Sequence, residues 1–413
     1  MATSLSEPQV LAHTKRRLFP DDEATYAVSD TQFATEEWLE GQRVPPEVRE
    51  RLAPFNHVRV GSGYPDLVGV GPLDPEFLAV DRFGAGPPLV AVEAKGYTES
   101  GTVDVERGVV QAHDRLGEAN AAYLVAPTAA ISQSARALAR ELNVGVLGVD
   151  PTGNVDPLEV PRVVGTRTTD EAAAIRFQAS AQGVAEKSFG LNHPKNYLAY
   201  PLAVYHPGET DAILEAYVVG ATDDARRGAS FLGLLEERPD RLELTPLGRE
   251  VVRFALGRYD SVDAALEVFD GWRRSRERFC AVAPEWGVLT RRVVWAYPAT
   301  KLLVRELQAM YDDGITEPTL LELLEWLAVQ HPTFTVELFV RGTEEVRSRV
   351  LDVDGELQVE ELEDGTVFHS PTVFQLKTML YHAGVLTDRG IEPHRLDPTV
   401  DVWSLRDPLE VTP

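Results

Sequence analysis

The stretch GYPDLVGVGPLDPEFLAVDRFGAGPPLVAVEAKGYTE, residues 63–99, decides the fold class. Its apolar runs are separated by Gly and Pro turns, so it reads as strands at about 66–71, 77–81 and 88–96, with a further one upstream at about 57–61. Side chains two apart in a strand share a face. Glu93 and Lys95 therefore point with Ala91, and Val90, Val92 and Ala94 point to the other side. Two charges on a mostly apolar strand are costly unless they pair or bind something. Asp66, after Pro65, opens the preceding strand. When the two strands are neighbours, its carboxylate lies beside that of Glu93. Two converging carboxylates make a hard-oxygen site suited to Mg²⁺. A Lys beside such a site orients the attacking water or stabilises charge on a phosphoryl oxygen. The plainer reading of Glu93 and Lys95, an exposed ion pair worth about 0–1 kcal/mol, leaves Asp66 unexplained.

Working outward, SDTQFATEEWLEGQ begins with Ser29 and has Gln32 three residues on, the pattern of a capping box opening a short helix. Downstream, Val105, Val109, Ala112 and Leu116 fall at helical spacing. AAYLVAP is a strand, SQSARALARELN a helix and VGVLGVD a further strand. The expected fold is α/β, with a mixed central sheet flanked by helices and ending near Asp150.

The YPD and EAK motifs, separated by a hairpin on an α-β-β-β-α-β order, resemble the PD-(D/E)XK nuclease superfamily. The resemblance covers about residues 25–150 and implies a restriction-endonuclease-like fold. It also implies that Asp66 and Glu93 are Mg²⁺ ligands, that the Ala94 carbonyl completes the coordination, and that Lys95 is the catalytic lysine. Relatives place an acid on the helix before the strands, and Glu36 or Glu37 matches. Gln111 matches a Gln that some relatives carry on the following helix. Arg115 stands where those relatives have Tyr. Arg107, Gln111 and Arg115, at i, i+4 and i+8, form a polar stripe facing the site or a phosphate backbone.

The remainder divides, on this reading, into a polar leader over 1–25, a connection over 151–205 with a helix near TDEAAAIRFQASAQG, and two winged-helix-like modules over 206–300 and 301–413. In the first module a helix, a tight turn, a strand and a helix capped by Thr245 with Pro246 at its first turn follow winged-helix order. The second opens at Ser370-Pro371 and closes with VDVWSLRD as a wing strand. Arg226 and Arg227 in the first module and Lys377 in the second are candidate nucleic-acid contacts. No His-x-x-x-His spacing suggests zinc, and Gly61-Ser62-Gly63 is a turn rather than a phosphate loop, because no Gly-Lys-Ser/Thr follows.

Composition bounds the function. A chain of 413 residues with one Cys, Cys280, holds two or three domains, no intrachain disulfide and no Cys-based zinc site. No apolar run reaches bilayer length, and the first residues carry no export-type apolar core, so a cytoplasmic location is expected. The net charge is −25, and Lys occurs only at 15, 95, 187, 195, 301 and 377. An acidic, Lys-poor surface suits a salt-rich cytoplasm, where salt screens self-repulsion and carboxylates hold water. High salt also weakens phosphate attraction, so acidity does not exclude DNA. The resulting expectation is a Mg²⁺-dependent DNA endonuclease brought to DNA by winged-helix modules, with no membrane partner. A two-fold dimer would suit double-strand cleavage. The rivals are a non-enzymatic winged-helix regulator and an interaction scaffold.

Overall fold

The computed structural model describes residues 5–20, 25–39, 42–61, 63–79, 87–98, 100–162, 190–217, 222–237, 242–272, 277–352 and 355–409. The chain divides into two compact units, one of residues 1–183 and 327–362, the other of 184–326 and 363–413. The helix expected near 168–183 lies outside the described residues.

Within the expected polar leader, residues 7–18 form a helix, α1 (Glu7–Leu18), with a buried face. Ser6 N–H donates to Gln9 Oε1 at 3.0 Å, the back-bond of a capping box, and Val10, Leu11 and Leu18 are buried. The strands that follow are β1 (Tyr26–Ser29), β2 (Glu37–Leu39) and β3 (Gln42–Arg43), then α2 (Pro46–Leu52), β4 (Leu67–Val70) and β5 (Leu89–Ala94). After them come α3 (Val105–Arg115), β6 (Ala121–Pro127), α4 (Gln133–Glu141), β7 (Gly145–Val149) and β8 (Val155–Glu159).

Six strands form one mixed sheet in the order β1-β4-β5-β6-β7-β8. The pairs β1/β4, β4/β5 and β7/β8 are antiparallel; β5/β6 and β6/β7 are parallel. Helical connections through α3 and α4 make the parallel pairs feasible, since a parallel neighbour needs a crossover. Both faces are covered. Val90, Val92 and Ala94 join a core that includes Val10, Leu11 and Leu18 of α1 and Leu52 of α2. Ala91 faces the opposite layer with Val68 and Val70, and Leu124 of β6 packs there on Val105, Val109 and Ala112 of α3.

Three local expectations are corrected. The described residues of 29–42 hold no α-helix: a 3₁₀ turn at Thr31–Phe33 leads into the paired strands β2 and β3. Residues 57–61 form no ladder strand, because Val58 and Val60 are buried by side-chain packing while the backbone makes only a bridge from Val60 to Gly63. Pro75–Phe77 is a 3₁₀ turn where a strand is expected from about 77. The sheet also extends past Asp150, because β8 returns along β7.

Residues 332–339 and 344–350 form two helices of the same unit. Glu337 on the first is fully buried, and both its oxygens are bonded. Arg347 donates at 2.9 and 3.3 Å, Tyr26 Oη at 2.8 Å and Asn56 Nδ2 at 2.5 Å. A buried charge is tolerated when so fully partnered. The web fastens β1 and the 54–58 segment to sequence nearly three hundred residues away.

The second unit is mainly helical. A helix at Thr222–Phe231 precedes a hairpin of Leu235–Glu237 with Leu242–Leu244, then a helix at Pro246–Arg258. Thr245 accepts from the Gly248 N–H at 3.0 Å, as its capping position requires. The segment 401–407 forms only isolated bridges, Thr319 with Val402 and Leu386 with Leu405, in place of the expected wing strand. No described helix is long and apolar enough to cross a membrane.

Candidate active site

The register of β4 on β5 builds the site. Leu67 lies opposite Val92, so Asp66, one residue earlier, lies opposite Glu93, one residue later. Directly opposed residues of an antiparallel pair share a face. Both side chains are buried, at 4% and 3% exposure. Lys95 follows at the end of β5, half-buried, and its backbone N–H donates to the Val125 carbonyl at 2.9 Å.

Asp66 accepts two hydrogen bonds, from Ala94 N–H to Oδ2 at 2.7 Å and from Gln32 Nε2 to Oδ1 at 3.0 Å. Glu93 Oε1 accepts from Arg115 Nε at 2.8 Å. The third acid is one the sequence reading did not select. Glu7, the first residue of α1, is near enough to Lys95, Glu93 and Asp66 to interact with all three charges, and it accepts from the Gly96 N–H. Gly96 permits that approach. A Cβ there would lie 2.0 Å from the Glu7 nitrogen and 2.4 Å from the Ser6 carbonyl carbon, and the Tyr97 N–H donates to the Leu5 carbonyl at 3.0 Å.

The electrostatics are those of an acid cluster short of cations. Burial pushes the Asp66 carboxyl well above its ordinary range, and the charges of Glu93 and Glu7 push it further, against Lys95 and the Ala94 N–H. Burial likewise raises Glu93, opposed chiefly by Arg115 and then by Lys95. Glu7 is raised by burial, with Lys95 as its main counterweight. Such groups take up a proton on folding unless a cation supplies the missing charge.

The other sequence candidates divide. Gly108 lets α3 close on β5, since a Cβ there would lie 3.0 Å from Lys95 Cγ and 2.4 Å from Leu124 Cδ1. Gln111, nearly one turn further along α3, has a buried Oε1 with no hydrogen-bond partner. An orphaned buried acceptor in a native site calls for an explanation such as a water or ligand. Arg107 is exposed on the same helix. Arg115 is not a surface phosphate contact: it is 6% exposed, holds Glu93 and reaches the Val60 carbonyl at 3.5 Å. Of the two acids expected on a helix before the strands, Glu36 is exposed and pairs with Arg49 at 3.4 Å, and Glu37 lies in the β2 backbone. Glu7 is the acid that meets the cluster. Its signal in the sequence is the S-E-P-Q helix start, read there as part of the leader.

In the second unit Lys377 cannot meet DNA as expected. It is 1% exposed, pairs with Asp401 Oδ1 at 2.5 Å and lies 5.7 Å from the Trp403 ring centre. Arg227 bonds Asp224 at 3.1 Å, and Arg226 is exposed. Among the described residues, no three His, Cys, Asp or Glu side chains are gathered closely enough to hold a metal ion. No family model, curated protein or solved structure matches the chain.

Proposed function

We propose that the first unit is a restriction-endonuclease-like, PD-(D/E)XK-type hydrolase that cleaves phosphodiester bonds in DNA with Mg²⁺. The observation that carries this reading is the meeting of Glu7, Asp66, Glu93 and Lys95 at one end of β5, with all three carboxyls raised by burial and those of Asp66 and Glu7 raised further by neighbouring acids. The donor chemistry suits the ion, with hard carboxylate oxygens on Asp66 and Glu93, while no three such side chains stand at ligating distance among the described residues. Asp66 and Glu93 would hold Mg²⁺ with the Ala94 carbonyl, and Glu7 would support it in the role that the resemblance gives to an acid on the preceding helix. The Gln32 amide now bonded to Asp66 Oδ1 would then yield that oxygen. Mg²⁺ supplies Lewis-acid polarisation of the phosphoryl group and a lowered pKa of its water.

The chain's own residues do the positioning. Lys95 orients the attacking water and offsets charge on a phosphoryl oxygen, and the orphaned Gln111 acceptor adds a hydrogen-bonding site one helical turn away. Arg115 keeps Glu93 aimed and restrains the rise that burial imposes on its carboxyl. Arg107 on α3 and Arg226 in the second unit, both exposed, would approach the DNA backbone. The helix–hairpin–helix at 222–258 supports a winged-helix module as the DNA-targeting part, and a homodimer would supply a second site for the opposite strand.

The test is nicking of supercoiled plasmid in strong KCl. Mg²⁺-dependent cleavage, reduced at least about a hundredfold by Lys95→Ala or Glu7→Gln and unchanged by Glu36→Gln, is the expected result. A sequence-specific shift without cleavage would replace the enzyme with a DNA-binding regulator.

A further inference from the structure

Beside the acid cluster lies a group of side chains with no part in the chemistry above. Tyr64, two residues before Asp66, is 44% exposed. Its ring stacks on His57 with centroids 3.6 Å apart and planes 17° apart. His57 is in turn fixed. Its Nδ1–H donates at 2.9 Å to Oδ2 of Asp30, a side chain only 4% exposed, and Asp30 Oδ1 accepts from the Gln32 N–H at 3.0 Å. The Asp30 N–H donates to the Asp66 carbonyl at 3.0 Å, so the base of the stack and the acid cluster share one backbone junction. A side chain at Gly355 would collide with His57 Cβ, so the imidazole is backed by main chain as well.

A buried carboxylate, a bonded imidazole and an outward aromatic ring make a rigid platform. A ring already immobilised loses little entropy when a second flat group stacks on it. The flat group must also reach the phosphate site. Two residues of chain span at most about 7 Å, so the Tyr64 backbone stands no further than that from the Asp66 backbone. A base inside a duplex is already stacked on both sides, whereas an unpaired base offers a free π-face.

Building on the hydrolase reading, we propose that Tyr64, braced by His57 and Asp30, is a stacking platform for an unpaired nucleobase next to the bond that is cut. The preferred substrate is single-stranded DNA or a duplex end, flap or gap that presents such a base. Stacking on an aromatic side chain is sequence-tolerant, so the site selects strandedness and not sequence.

The experiment is equilibrium binding of the full chain to a 2-aminopurine-labelled oligonucleotide, as a single strand and as a duplex, with and without Mg²⁺, alongside cleavage of both. The expected result is quenching of the single strand's fluorescence and tighter binding of it than of the duplex. Tyr64→Ala should lose the quenching and about tenfold of the single-strand affinity, while Tyr64→Trp retains both. Asp30→Asn, which loosens the brace, should fall between them. Equal affinity for both forms, no binding of either, or single-strand binding indifferent to Tyr64→Ala would each overturn the proposal. Quenching without Mg²⁺-dependent cleavage would instead overturn the hydrolase reading and leave the platform standing. Duplex cleavage indifferent to Tyr64→Ala, with no quenching, would do the reverse.

Discussion

Arg115→Ala tests whether this side chain holds the acid cluster together or meets a ligand. The guanidinium and Glu93 are both buried, with 8% and 4% of their side chains exposed, and Nε donates to Oε1 at 2.8 Å. Removing one partner of a buried pair costs about 3–5 kcal/mol, because the other charge is left uncompensated. For a unit of this size that lowers the melting temperature by about 6–20 °C. Glu93→Gln on the Arg115→Ala background should restore most of the loss, since no carboxylate then remains to be compensated. The pH dependence follows from the direction of the shift. Glu93 already sits above the ordinary glutamate value of 4.5, and Arg115 is its main restraint. Without that restraint the carboxyl rises further. A raised carboxyl stabilises the fold below its unfolded pKa, and that contribution is lost as pH climbs through the folded one. The penalty of Arg115→Ala should therefore be small near about pH 5 and full near about pH 8. Circular dichroism melts of the wild type, both single variants and the double variant, at both pH values, measure this. A fall of under about 3 °C at the higher pH, a penalty independent of pH, or no rescue by Glu93→Gln would refute the account.

Gly96→Ala places a Cβ against the backbone of Ser6 and Glu7. It should push the start of α1 off β5 and cut Mg²⁺-dependent nicking at least about tenfold while Lys95 and Glu93 are intact, measured by plasmid cleavage. Asp66→Asn removes a buried charge repelled by Glu93 and Glu7. It should raise the metal-free melting temperature at about pH 8 while abolishing cleavage, the trade-off expected of an active-site acid; a lower melting temperature would count against the charge-repulsion argument. With a net charge of −25, the whole chain should melt at rising temperature as KCl goes from about 0.5 to 3 M, through screening. A flat or falling curve would reject the high-salt reading.

The local pattern around residues 63–99 carried much of the information. Alternation put Glu93 and Lys95 on one face of β5, and the adjoining Pro65-Asp66 made β4 its natural neighbour. The elements α3, β6, α4 and β7 were equally legible, the helices because each buries one apolar stripe and the strands because both their faces are buried and read as continuous apolar runs. The hairpin and the turn at 29–43 were not. Ser29 and Gln32 mimic a capping box, yet Asp30 takes the 3₁₀ cap and the Gln32 side chain turns to Asp66, a contact that exists only once β1 and β4 have paired. Glu7 was hidden for the same reason: nothing local distinguishes it from any acid in a first helical turn. Lys377 looked like a groove residue because its partner, Asp401, lies 24 residues further along the chain.

By itself, then, the sequence determined the α/β character and the shared face of Glu93 and Lys95, because burial periodicity and strand pleat are local properties of the chain, whereas Asp66 joined them through the pairing of β4 with β5. Tertiary structure alone decided which acid joins them, which arginine is held inside rather than offered to a ligand, and which distant glutamate anchors β1. Those outcomes depend on desolvation and on charges brought together across hundreds of residues, and neither exists until the layers have packed.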